Sequence, residues 1–101
     1  MNQNSYNNTI TIIIVTFHSN EIVENLIRSI DSEIKILVIE NSLEYQVKPN
    51  LEKKYKNVEV VIPQTNFGIG GGINLGFSLV KTKYLLQLSP DVILDKGMIN
   101  T

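Results

Sequence analysis

The chain contains no cysteine in 101 residues, which excludes a disulfide framework and any thiolate metal site. It also lacks an apolar run of membrane-spanning length. The longest, from Ile10 to Phe17, includes two threonines and falls well short of the ~20 residues a spanning helix needs. Charge of one sign is not in excess: 9 Lys and Arg against 10 Asp and Glu leave a net charge of -1. That balance argues against nucleic acid or an anionic membrane surface as the main partner. Histidine is nearly absent too. His18 has no Cys, His or carboxylate cluster beside it in sequence, and is expected as a half-exposed loop residue rather than a ligand.

The first nine residues are polar and asparagine-rich, with no basic patch leading into an apolar run, so they do not read as a secretory signal. Residues 1–9 are expected to form a disordered polar tail, and a cytoplasmic location is the default. The remainder, 10–101, has the composition of an ordinary soluble globular domain, 43% hydrophobic and 19% charged over the whole chain.

Its pattern alternates strands with helices. Ile10 to Phe17 is β-branched and nearly continuous, as in a strand buried on both faces. Ser19 or Asn20 can cap a following helix whose stripe of Ile22, Val23, Leu26, Ile27 and Ile30 faces the core. Ile34 to Ile39 is a second strand. A polar loop follows from Glu40 to Asn50, then a short helix over Leu51 to Tyr55. Val58 to Ile62 is a third strand, stopped by Pro63. A glycine-rich stretch leads into a helix through about Lys81, and Tyr84 to Leu88 is a fourth strand. Strands separated by helices predict an α/β fold with a mostly parallel sheet covered on both faces.

Ligands bind such sheets beyond the carboxyl ends of the strands. Four loops should therefore open on one edge: Thr16 to Ser19, Glu40 to Ser42, Gln64 to Gly76, and Ser89 to Asp91. The glycines of the third loop suit either close backbone approach to an anion at a helix start or a tight strand-to-helix turn. No Lys-Ser or Lys-Thr pair directly follows the last of them, Lys81-Thr82 lying beyond Gly76 and Phe77-Ser78-Leu79-Val80, so they are not a P-loop. No glycine follows the first strand, which removes the dinucleotide fingerprint. Asp91, after an apolar strand, can coordinate a hard cation that also binds a diphosphate, but Ser89-Pro90-Asp91 suits a plain helix start as well. Glu40 can accept a hydrogen bond from a ribose or base, or be a solvated loop acid.

Together these segments resemble the amino-terminal half of the family 2 glycosyltransferases, inverting enzymes of the GT-A fold, and within them the rhamnosyltransferase-like members. Ile13 to Ser19 is similar to that family's opening Val-Thr-Tyr-Asn-Ser strand end. Val38 to Ser42 is similar to its Val-Val-Asp-Asn-Gly-Ser segment. Asn66 to Gly76 and Leu88 to Asp91 resemble its Asn-Leu-Gly-Phe-Ala-Gly-Gly-Asn-Asn-x-Gly loop and Leu-Asn-Pro-Asp sequence.

The resemblance implies a Rossmann-like nucleotide-diphospho-sugar transferase sheet, incomplete here, with 10–101 as its nucleotide-sugar-binding half. It implies that Thr16 and Phe17 border the base and that Glu40 holds base or ribose. Asn66, Gly68, Gly72, Asn74 and Ser89 then shape the nucleotide-sugar pocket, and Asp91 holds Mg²⁺ or Mn²⁺. The expected donor is a UDP- or dTDP-sugar, and the expected acceptor a saccharide or lipid-linked sugar of polysaccharide synthesis, at the inner face of the membrane. Self-association is a further expectation. Ser89 stands where the family has asparagine or aspartate, Glu40 where it has aspartate, and His18 where it has asparagine. No catalytic residue is assigned, since the family's base lies well beyond the metal motif, and the chain alone is expected to be inactive. The alternative function is a non-catalytic domain that keeps this fold for binding or assembly.

Overall fold

In the computed structural model, residues 10–66 and 68–90 are described. Four strands, β1 (Ile10–Thr16), β2 (Lys35–Glu40), β3 (Val58–Val61) and β4 (Tyr84–Leu88), alternate with three helices, α1 (Asn20–Ser29), α2 (Val47–Lys54) and α3 (Gly68–Leu79). The sheet order is β3-β2-β1-β4, and every pairing is parallel. The chain first steps outward from β1 to β3 and then returns to the other side of β1. With right-handed crossovers, that reversal sends the last helix to the opposite face and leaves a crevice where the direction changes.

Two cores result from the strand pleat, since successive residues point to opposite faces. Ile12, Ile14, Ile36, Val38, Val58 and Val60 pack with Val23, Leu26 and Ile27 of α1, with Ile30 just past its end, and with Val47 and Leu51 of α2. Ile13, Val15, Leu37 and Ile39 face the other way, toward Ile73, Leu75 and Val80 from the α3 region. β1 and β2 are thus buried on both faces, as their unbroken apolar sequences predict.

Several local expectations are corrected. Ile22 is exposed rather than part of the buried stripe, because its position turns it off the arc that faces the sheet. α2 begins at Val47, inside the expected loop. Pro49 is its third residue, where a missing N–H has no intrahelical acceptor to lose. β1 stops at Thr16 because His18, two residues on, adopts φ 51°. Ser19 sits at the α1 N-cap but makes no cap bond; its hydroxyl instead donates to the Phe17 carbonyl at 2.9 Å.

β4 pairs with β1 alone, and Tyr84, Leu85 and Leu86 are exposed among the described residues. Leu88, at the strand's end, packs against the α1–α2 core, while Tyr84 to Gln87 belong to neither core cluster. Because successive residues point to opposite faces, Tyr84, Leu85 and Leu86 expose apolar surface on both sides of the strand.

α1 and α2 are joined at their outer ends by Glu24, which accepts from the Tyr55 hydroxyl at 2.9 Å and from Lys54 Nζ at 3.2 Å. Burial pushes the Glu24 carboxyl up, but the Tyr55 and Lys54 hydrogen bonds and the Lys54 and Arg28 charges together bring it below its usual 4.5. A lowered folded-state pKa stabilises the fold above the unfolded value, and that contribution is lost as pH falls through the folded value. Glu24→Gln should therefore be less stable than the wild type at pH 7 by up to about 1 kcal/mol. Urea titrations should show the gap closing as pH drops below 4.5. A gap independent of pH would mean that the carboxylate charge is not what joins the helices.

Candidate functional site

The carboxyl ends of β1 and β2 are tied together before any side chain is considered. Their ladder continues past the strands, with the Asn41 N–H donating to the Thr16 carbonyl at 2.8 Å. Above this edge lies a cleft of about 370 Å³. Val15, Thr16, Phe17 and Ser19 come to it from the end of β1, and Asn41 from the end of β2. Asn66 and Gly68 come from the turn into α3, and Pro90 from the segment after β4. Each of the four loops expected at this edge contributes to it. A larger hollow of about 450 Å³ lies at the opposite sheet edge, lined by Thr11, Lys35, Glu59 and Lys81 among others. It holds none of the expected site residues.

The pleat divides Glu40 from Asn41. Glu40 follows Ile36 and Val38 onto the α1–α2 face and is completely buried. The Thr16 hydroxyl donates to its Oε1 at 2.6 Å, while the Ser42 hydroxyl and the Glu44 N–H donate to its Oε2. It is neither a solvated loop acid nor a lining residue of the cleft. Its carboxylate is a buried knot between the two loops.

Asn41 projects to the other face, where α3 lies. Its Nδ2 donates to the Gly68 carbonyl at 2.9 Å, which fixes the amide's orientation. Its Oδ1 is buried without a hydrogen-bond partner among the described residues. A buried acceptor left unpaired costs about 1–3 kcal/mol, and this one belongs to a residue that lines the cleft, which makes it a candidate partner for a ligand donor. No role was expected for Asn41 from the sequence. The period-two alternation from Val38 onward was the signal that could have found it.

The glycines act mainly through close approach. Gly68 has φ +74°, a left-handed conformation that favours glycine, and its N–H bonds to Asn66 Oδ1 at 2.7 Å. Gly72 lets α3 sit down on β1: a Cβ there would lie 2.9 Å from Val15 Cγ1 and 3.1 Å from Asn41 Nδ2. Gly72 thus shapes the cleft from behind rather than lining it. Thr16 is buried with its hydroxyl committed to Glu40, whereas Phe17 is 54% exposed and stands at the cleft. Asn74 and Ser89 are exposed and are not among the lining residues. The metal assignment to Asp91 lies outside the described residues. Among those described, no three His, Cys, Asp or Glu side chains group into a metal site. No helix in them is long and apolar enough to cross a membrane.

Comparison with known proteins follows this geometry. No curated protein sequence matches the chain. Among solved structures, S. aureus TarS 1-349 is similar with a TM-score of 0.75 at 19% identity, over 91% of this chain and 30% of that one. The same protein in complex with UDP gives a TM-score of 0.72 at 19% identity, over 87% and 29%. The mannosyltransferase PcManGT from Pyrobaculum calidifontis, in complex with GDP-Man and Mn²⁺, gives 0.70 at 11% identity, over 84% and 28%. At such identities the likeness shows the fold, a GT-A type Rossmann-like sheet, and the chain spans less than a third of each of these structures. The sequence profile of Glycosyl transferase family 2 matches residues 11–101, nearly the entire chain, and the protein belongs to that family.

Proposed function

We propose that this chain is the donor-binding part of a glycosyltransferase that moves a sugar from a UDP- or dTDP-linked donor to a saccharide or lipid-linked acceptor in polysaccharide synthesis. The unpaired, buried Oδ1 of Asn41, a residue that lines the cleft, carries this reading. Uracil and thymine each present a ring N–H, the donor that such an acceptor lacks. Phe17 supplies an exposed aromatic wall for the base, and base–aromatic stacking contributes about 1–3 kcal/mol. Thr16 and Glu40 position Asn41 and Phe17 from beneath. Gly68, its N–H capped by Asn66, brings the α3 N-terminus to the cleft, with Gly72 seating the helix, so that the positive end of the helix dipole favours a diphosphate. Asn74 and Ser89, exposed and outside the cleft lining, keep the sugar-end role that the family resemblance gives them.

By the family resemblance, Asp91 would hold the cation together with the donor's own phosphates. Mg²⁺ or Mn²⁺ there would neutralise charge on the departing nucleoside diphosphate. The proposed setting is cytoplasmic, peripheral to the inner membrane face. The open β4 edge supports association with another strand, a second copy included. We assign no catalytic base in this chain and expect no transfer by it alone.

Isothermal calorimetry with UDP and dTDP tests the reading. Affinity should rise with Mn²⁺ over EDTA, and Asp91→Ala should remove only that increment. Asn41→Ala should weaken binding about tenfold whether or not metal is present, the loss of one hydrogen bond. Metal-independent affinity would discard the Asp91 assignment. Absence of nucleotide binding under either condition would leave the fold serving as a non-catalytic binding or assembly domain.

A further inference from the structure

The loop after β1 and the loop after β2 are clamped outside the cleft by a pair of side chains with no counterpart in the expected site. His18 Nδ1 lies 2.8 Å from Glu44 Oε2, and the nitrogen facing a carboxylate carries the proton. The His18 ring also packs against Phe17 in an edge arrangement, with ring centroids 4.4 Å apart at 67°. Phe17 belongs to neither core cluster, so neither core fixes its rotamer. Among the described residues, the aromatic contact to its ring is the one from His18.

Both loops bend through left-handed residues to make this contact. His18 has φ 51° and Leu43 has φ 62°, and a non-glycine residue in that region persists only where its surroundings hold it. Glu44 is in turn anchored, its N–H donating to Glu40 Oε2, and Glu40 accepts from Thr16 at the end of β1. The contacts therefore run from the buried sheet edge through Glu40, Glu44 and His18 to an exposed aromatic ring.

We infer that Glu44 is a positioning residue for nucleotide binding, acting through His18 to hold the Phe17 ring as a preformed wall for the base. The inference rests on the donor-binding reading above and adds two residues to it. Its physical basis is preorganisation: an exposed ring free to rotate must be ordered when the base arrives, and a clamped ring is ordered beforehand.

The test is a double-mutant cycle on the full 101-residue chain, read by calorimetry with UDP or dTDP, whichever the wild type binds. Inorganic diphosphate serves as a probe without a base. Glu44→Gln and His18→Asn should each weaken nucleotide binding about three- to tenfold, because an exposed pair is weak by itself but governs the stronger stacking contact. In a Phe17→Ala background, Glu44→Gln should have no further effect, and diphosphate affinity should be unchanged throughout. Asparagine tolerates left-handed φ, so His18→Asn keeps the backbone, and Glu44→Gln alone decides the matter if that variant misfolds. Equal weakening by Glu44→Gln with and without Phe17 would overturn the inference, since Glu44 would then act on the ligand itself. Unchanged affinity in Glu44→Gln would overturn it while leaving donor binding intact, whereas a wild type that binds no nucleotide would remove both.

Discussion

Gly72→Val is expected to cost about 3 kcal/mol and to lower the melting temperature by more than about 10 °C. The reason is local. A Cβ at this position would sit 2.9 Å from Val15 Cγ1 and 3.1 Å from both Val15 Cγ2 and Asn41 Nδ2. Val15 belongs to the buried strand β1 and cannot give way without moving the sheet, so α3 must lift. Gly70→Val is the matched control, because a Cβ there meets nothing within 4 Å. Both positions lie in α3 and gain the same helix propensity, so the difference between the variants isolates the contact with β1. Lifting α3 also draws the Gly68 carbonyl away from Asn41 Nδ2, and nucleotide binding should fall with stability. Thermal melts that place the two valine variants within about 0.5 kcal/mol of each other would show that α3 does not rest on β1 through Gly72.

Glu40→Ala is expected to be nearly as damaging and for a different reason. The wild-type carboxylate accepts from the Thr16 hydroxyl, the Ser42 hydroxyl and the Glu44 N–H. Removing it strands these donors around a cavity where Thr16 is itself buried, a loss of about 3 kcal/mol by unfolding titration. Loosening this knot releases both loops that carry Phe17 and Asn41, so nucleotide affinity should drop by about 1–3 kcal/mol as well. Glu40→Gln separates the two effects. It keeps the volume and one strong acceptor, and should recover most of the affinity if Glu40 works by position. Full loss in Glu40→Gln, with stability retained, would show instead that the carboxylate charge touches the nucleotide.

The order of elements was legible because each carries its own period. β1 and β2 are continuous β-branched runs, and the 3.6-residue spacing of Val23, Leu26, Ile27 and Ile30 marks α1 wherever it is placed. The start of α2 was not legible, because Val47-Lys48-Pro49-Asn50 is polar with a proline, and the helix depends on Val47 and Leu51 docking on the sheet. Ile22 reads as core by spacing alone, yet a helix seated on a sheet buries only part of its apolar arc.

The gathering of the site shows the same division. Sequence order and the rule that parallel strands end on a common edge suffice to bring the loops of Thr16, Asn41, Asn66 and Pro90 to one cleft. Neither tells which of two adjacent polar residues lines the cleft. That depended on the pleat, which turns Glu40 into the α1–α2 core and Asn41 toward α3. Nor could the spacing of 26 residues between His18 and Glu44 predict their meeting, since it requires two left-handed turns in separate loops. What the sequence by itself determined was the class of sheet, the family and the edge on which the four loops meet in a cleft, because periodicity, local turns and motif order are properties of the chain alone. The tertiary structure decided which side chains are spent on holding the loops and which acceptor stays open, because that depends on register and facing across strands distant in sequence.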